Sequence, residues 1–250
     1  MNSDLNELQR AFAPTGVLRA TINIGNPILA GIDSNGAPFG VSVDLAKRLA
    51  HELNLPIELM VLKSAGEAVT CVTEQKADFG FFAVDPKRGE GIAFSAPYVH
   101  ITGSYLVAES SPIHTIDDVD QYGNRVVVGN GSAYDLFLSR SLKRATIERS
   151  PTSPTVVDTY IASKADVAAG VTQQLLADME KYTGQRLIPG HFMTIKQAMG
   201  VPKSRSANVQ AYLSDFVERM KHHYFVAKSL DQHGIEGAAV APLESEIGSI

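Results

Sequence analysis

Residues 78–108 read DFGFFAVDPKRGEGIAFSAPYVHITGSYLVA. Within them, residues 78–84 form an apolar run bounded by turn-forming residues, the pattern of a short strand buried on both faces. After Pro97 and Tyr98 the character changes, and residues 101–108 read as a second strand leading away. A matching strand, TIKQAMGV at residues 194–201, returns much later in the chain. The block between these two strands falls within the usual domain range of ~50 to 200 residues. A block bracketed in this way implies two lobes joined by two crossings. The expected division is residues 1–102 plus 198–250 as a discontinuous first lobe and residues 103–197 as an inserted second lobe, with a ligand cleft between them.

Outward from this stretch, strand and helix alternate. Residues 17–22 read as a first strand and residues 31–40 (GIDSNGAPFG) as a turn-rich connection. A helix is predicted over 43–53, where Leu45, Leu49 and Leu53 recur every four residues on one apolar face. Residues 57–62 are a short apolar run and 65–75 a second helix. Beyond the first crossing, a polar stretch over 109–124 precedes a strand at 125–128 and a helix at 133–142. Further helices are predicted at 155–163, 172–181 and 207–222, with short strands at 166–171 and 186–188. Residues 237–250 are small and polar and are expected to fray. Strands alternating with helices imply an α/β protein built on mostly parallel sheets.

Composition removes several function classes. The 250 residues carry a net charge of -5, so the basic excess of a duplex-binding protein is missing. The only cysteine, Cys71, cannot form an internal disulfide or a cysteine metal framework. No His/Asp/Glu spacing suits zinc, and GNGSAY (residues 129–134) is not a G-x-S-x-G nucleophile elbow. No stretch reaches the ~18 to 20 apolar residues of a membrane span. Met1 to Arg10 (MNSDLNELQR) lacks the basic start, apolar core and cleavage site of a secretory signal. The chain as encoded is therefore expected in the cytoplasm, or in the periplasm if a leader has been removed.

In order along the chain, GVLRATIN, GVSVDLAKRLAHELNL, KADFGFF, DPKRGEGIAFSAPY and VVVGNGSAYDLFL resemble the segments of the family 3 bacterial extracellular solute-binding proteins, the amino-acid-binding components of ABC transporters. Their order and spacing carry the resemblance over nearly the whole chain. It implies the two-lobed, type II periplasmic-binding-protein fold, in which each lobe is a sheet flanked by helices and the cleft closes on a ligand by a hinge motion.

The same resemblance implies a site. Arg88 stands where relatives grip a ligand carboxylate, and a planar guanidinium fork matches two carboxylate oxygens; pairing with Asp85 or Glu90 on the surface is the alternative. Gly131, Ser132, Ala133 and Tyr134 open the helix after a strand. The first amides of that helix have no partner within it and form an anion site or, more plainly, a capped helix start. Asn23 and Asn26 sit in a loop that lines the cleft in relatives, and Gly-Asn-Pro is equally turn chemistry. Phe82 and Ala83 occupy a strand end where relatives present serines; one of Phe81 and Phe82 is expected to face the ligand as an apolar wall, or both to lie in the core. Asp85 replaces the usual Thr and either pairs with Arg88 or meets a cationic part of the ligand. Val171 stands near the usual acid for the ligand ammonium, with Thr172 following it.

These readings converge on a non-enzymatic binder of a small carboxylate-bearing solute, amino-acid-like or an organic acid. The expected protein is a monomer that serves an ABC-transporter permease, without cofactor, metal, nucleic acid or membrane insertion. The alternatives are a cyclohexadienyl-dehydratase-like lyase on the same scaffold, for which Asp85 is the best acid, and a cytoplasmic small-molecule sensor.

Overall fold

The computed structural model describes residues 2–247; Met1 and residues 248–250 lie outside it, including the end of the segment expected to fray. The chain runs α1 (Asn2–Phe12), β1 (Leu18–Asn23), β2 (Gly31–Ile32), β3 (Pro38–Phe39), α2 (Val41–Glu52), β4 (Ile57–Leu62), α3 (Ala65–Thr73) and β5 (Gly80–Ala83). It continues with β6 (Ile92–Ala108), β7 (Arg125–Gly129), α4 (Ala133–Ser141), β8 (Thr146–Ser150), α5 (Val156–Ser163), β9 (Val167–Val171), α6 (Thr172–Lys181) and β10 (Gln185–Leu187). It ends with β11 (Met193–Pro202), α7 (Ala207–His222), α8 (Phe225–Gln232), β12 (Ala238–Val240) and α9 (Glu244–Ile247). Two compact units result: residues 1–100 with 196–250, and residues 101–195.

In the first unit, β1 and β4 pair in parallel, with Leu18 opposite Ile57 and Asn23 opposite Leu62. β5 pairs antiparallel with the later half of β11, Phe82 opposite Ala198. All four residues of β5 are buried. Phe79 and Phe81 meet edge-on, and Phe81 meets Tyr98 likewise. Phe82, on the alternate face of the strand, joins Ala68, Val72, Ala77 and Ile92 in a core cluster that Cys71 also touches. The N-terminus of α3 carries a capping box: the Ser64 hydroxyl accepts from the Glu67 amide at 3.2 Å, and the Glu67 carboxylate accepts from the Ser64 amide at 3.2 Å.

The second unit is built on β7, which pairs in parallel with both β8 and β9. β9 and β10 pair antiparallel with the later half of β6. Its core gathers Leu106, Val127, Val156, Val157, Tyr160, Ala168 and Leu175, from β6, β7, α5, β9 and α6.

The structure departs from the sequence reading in particular places. The sheets are mixed rather than mostly parallel, because β6 and β11 are shared strands that run from one unit into the other and pair antiparallel with their neighbours. Through them the pairing order β5-β11-β6-β9-β7-β8 includes strands of both units. The strand read at 101–108 is the second half of a single 17-residue strand. The segment expected to fray forms β12, paired with β6, and α9. Its backbone is held: the Ala241 amide donates to the Tyr98 carbonyl at 3.0 Å, and Lys221 Nζ donates to the Pro242 carbonyl at 2.8 Å.

Candidate functional site

In the first unit, β5 delivers the chain into a tight turn at residues 84–91. The Asp85 carboxylate accepts from the Lys87 amide at 2.9 Å, and the Asp85 carbonyl accepts from the Gly89 amide at 2.9 Å. Arg88 opens a short 3-10 turn inside this loop and is only 5% exposed. Its Nη1 donates to the Ala83 carbonyl at 3.2 Å. Burial pulls its pKa down to about 10, against the opposing pull of the Asp85 charge. Asp85 is itself buried, so this loop holds a desolvated cation beside a desolvated carboxylate. Ala83 contributes its carbonyl. Phe82 lies in the core, 2% exposed; Phe81 packs on the other face against Tyr98.

The loop after β1 divides its two asparagines. Asn23 accepts from the Gly25 amide at 2.9 Å, a local turn that fixes the loop. A Cβ on Gly25 would lie 2.4 Å from the Lys63 carbonyl, so the close approach requires glycine. Asn26 is half-buried, and its Oδ1 has no hydrogen-bond partner among the described residues.

In the second unit, β7 ends at Gly129 and α4 begins at Ala133, joined by a turn in which Gly131 has φ +69°. Ser132 is the N-cap, its hydroxyl accepting from the Asp135 amide at 3.0 Å. The Ser132 amide donates to the Gly129 carbonyl at 3.0 Å. The Gly131 amide donates to Asp135 Oδ2 at 2.9 Å. Helix geometry leaves the Ala133 and Tyr134 amides as the open donors of the first turn. The Tyr134 side chain turns inward, 2% exposed, and a Cβ on Gly129 would lie 2.8 Å from its hydroxyl. Burial raises its pKa, opposed by hydrogen bonds with Ser153 and Ser132. The Tyr134 phenol is thus engaged inside the second unit.

Val171 ends β9 and stands as the N-cap of α6 without a side-chain cap. Thr172 Oγ1 lies 2.7 Å from Thr102 Oγ1 and 2.7 Å from Ser104 Oγ, and donates to the Thr102 carbonyl at 3.0 Å. This hydroxyl cluster ties α6 to the shared strand β6.

The sequence reading missed Asp135 and Arg149. The Asp135 carboxylate is 4% exposed and accepts from Arg149 Nε at 3.0 Å and Ser139 Oγ at 3.0 Å, besides Gly131. The Ser132-to-Asp135 spacing is the S-x-x-D form of a helix-start signature and would have pointed to the acid. Arg149 carries no such signal, because it arrives from a separate strand.

Among the described residues, no group of three or more His, Cys, Asp or Glu side chains could hold a metal ion. No helix among them is long and apolar enough to cross a membrane.

Against known proteins, the amino-acid-binding protein AabA of Dichelobacter nodosus is 24% identical over 160 residues, 62% of this chain and 62% of that protein. A cyclohexadienyl dehydratase of Pseudomonas aeruginosa is 27% identical over 157 residues, 61% of this chain and 58% of the enzyme. The chain thus spans about three fifths of the length of the curated relatives it matches. A solved structure of the solute receptor for L-cysteine of Neisseria gonorrhoeae superposes with a TM-score of 0.76 at 20% identity, over 91% of this chain and 92% of that one. The likeness shows the fold, that of type II periplasmic binding proteins. The model of the bacterial extracellular solute-binding proteins, family 3, matches residues 18–234, from the first residue of β1 to just beyond α8, and the chain belongs to that family.

Proposed function

We propose that this protein captures a small carboxylate-bearing solute, amino-acid-like or an organic acid, as the substrate-binding component of an ABC transporter. The observation that carries the reading is Arg88, a guanidinium 5% exposed in the turn after β5. A strongly perturbed buried charge marks a candidate functional site, and the several donors of a planar guanidinium fork match the two oxygens of a carboxylate. The open amides of Ala133 and Tyr134 supply a second set of donors for an anion. Relatives named as an amino-acid-binding protein and an L-cysteine receptor support the amino-acid-like class.

Val171 is apolar, and Thr172, next to it, brings only a hydroxyl already engaged with Thr102 and Ser104. This pair favours an organic acid, or a modified or apolar-side-chain amino acid, over lysine, arginine or histidine. Binding proceeds without turnover in this reading: the nearest acid, Asp85, is engaged by the Lys87 amide and lies beside Arg88.

A thermal-shift and calorimetric screen of the twenty common L-amino acids and small organic acids tests the proposal. A true ligand at 100 times its Kd adds roughly 2.7 kcal/mol of stability. Arg88→Met should abolish that shift. Because it also leaves the buried Asp85 carboxylate without its neighbouring cation, Arg88→Lys, which keeps the charge and loses the planar fork, should weaken the shift and gives the reading if the Met variant does not fold. An unchanged shift in Arg88→Met, or stabilisation by lysine and arginine alone, overturns the reading. Conversion of prephenate or arogenate, followed by chromatography, overturns binding without turnover.

A further inference from the structure

The start of α4 already holds an anion of its own. Asp135 turns its carboxylate back onto the Gly131 amide at 2.9 Å, at the positive end of the helix. At 4% exposure this charge has little water to solvate it. A second carboxylate brought to the Ala133 and Tyr134 amides would meet it at close range, and like charges at such distances repel strongly.

Arg149 removes the conflict. It lies on β8, opposite Val128 of β7 in the parallel register, and reaches across to α4. Its Nε donates to Asp135 Oδ2 at 3.0 Å, and its Nη2 lies 3.0 Å from Oδ1. Nη2 also donates to Ser139 Oγ at 2.9 Å, while that hydroxyl donates to Asp135 Oδ1 at 3.0 Å. The fork-to-fork pair fixes the carboxylate in place and brings the net charge at the helix start to zero. The Asp135 charge also acts on the Tyr134 phenol of the same turn.

We infer that Arg149 is a positioning residue of the anion site: by neutralising and holding Asp135, it fixes the Gly131 turn and lets the start of α4 accept a ligand carboxylate. This rests on the proposed capture of a carboxylate-bearing solute. Charge selection in the second unit then resides in a pair that does not itself touch the ligand. The Ala133 and Tyr134 amides supply the contact, and the Asp135–Arg149 pair sets the potential at which they work.

The test is calorimetric titration of four proteins, wild type, Arg149→Gln, Asp135→Asn and the double variant, with each of the twenty common L-amino acids. The amino acid that binds wild type most tightly should bind Arg149→Gln about tenfold more weakly, as an uncompensated carboxylate now faces it. The double variant, with a neutral pair of similar shape, should recover to within about threefold of wild type. Asp135→Asn alone leaves Arg149 uncompensated and should bind at least as tightly as wild type, which provides a reading if Arg149→Gln does not fold. Unchanged affinity in Arg149→Gln, a double variant no better than the single one, or a tenfold loss in Asp135→Asn overturns the inference. If wild type binds none of the twenty, the same four titrations with acetate, lactate, succinate and citrate read the inference by the same criteria, and binding of none of these overturns the carboxylate-bearing-solute reading on which it rests.

Discussion

Arg19 holds the Asp78 carboxylate at three points. Its Nε donates to Oδ2 at 3.0 Å, its Nη2 to Oδ1 at 2.9 Å, and its backbone amide to Oδ2 at 2.9 Å. Asp78 is fully buried, and Arg205 adds a further bond from Nη2 to Oδ1 at 2.9 Å. The carboxylate thus fastens the start of β1 to the segment entering β5 and to the loop before α7. Asp78→Asn should destabilise the protein by about 3 to 5 kcal/mol, because two part-buried guanidinium groups lose their shared partner. Urea denaturation of the variant measures this. A loss below about 1 kcal/mol would show that the pair contributes little to the fold.

Gly80 is set by what crowds it. A Cβ there would stand 2.1 Å from Thr21 Oγ1 and 2.6 Å from the Phe82 ring. Neither neighbour has room to move: Thr21 is 1% exposed, and Phe82 sits in the core cluster. Gly80→Ala should cost about 1 to 3 kcal/mol through overpacking. A fall in Tm with an unchanged far-UV spectrum is the expected result.

His100 gives the first unit a dependence on pH. Its pKa is lowered from the ordinary 6.5, first by burial and then by the positive charges of Lys196 and Lys221. Just below pH 6.5 the unfolded chain therefore takes up a proton more readily than the folded one. Stability is complete above that pH and is lost as the pH falls through the window beneath it. His100→Gln should flatten the Tm profile across this window. A profile parallel to wild type would remove His100 as its source.

The C-terminal segment should be worth measurable stability. The Lys221 side chain is 1% exposed, and its ammonium sits 2.8 Å from the Pro242 carbonyl and 2.5 Å from Glu218 Oε1. Lys221→Met leaves a carbonyl and a carboxylate without their cation and should cost about 1 to 3 kcal/mol. Hydrogen exchange of β12 should accelerate in the variant. Unchanged exchange there would mean that the pairing with β6 alone holds the segment.

The fold was legible where periodicity speaks plainly. The leucines of α2 mark one face, and the DFGFF run identifies β5 as a doubly buried strand. Local patterns could not reveal partners far along the chain. Thr146–Ser150 alternates weakly, and its identity as β8 comes from pairing with β7 across an intervening helix. The small residues near 240 look like a frayed end, and only the β6 edge makes them a strand. The candidate site divides in the same way. Ser132 was readable as a cap because cap chemistry is local, whereas Arg88 was singled out by the resemblance of the segment around it and not by a local rule. Phe82 and Phe81 alternate across one strand, and sequence alone could not say which side faced the core. Arg149 was invisible, because its role depends on a strand register that no short motif encodes.

The sharing of β11 between the units has a consequence for synthesis on the ribosome. Residues 101–195 are contiguous, so every strand partner within the second unit emerges before that segment is complete. The first unit has no such independence. Phe82 pairs with Ala198, and positions 82 and 198 lie 116 residues apart in the chain. At ~5 to 20 residues per second, β5 waits roughly 6 to 23 seconds for its neighbour. Throughout that interval an apolar strand stands with an open edge, and the inserted unit is the first to mature. The nascent chain is thus most vulnerable to aggregation and most dependent on chaperones around the FGFFA segment, in the half of the molecule that begins first and finishes last.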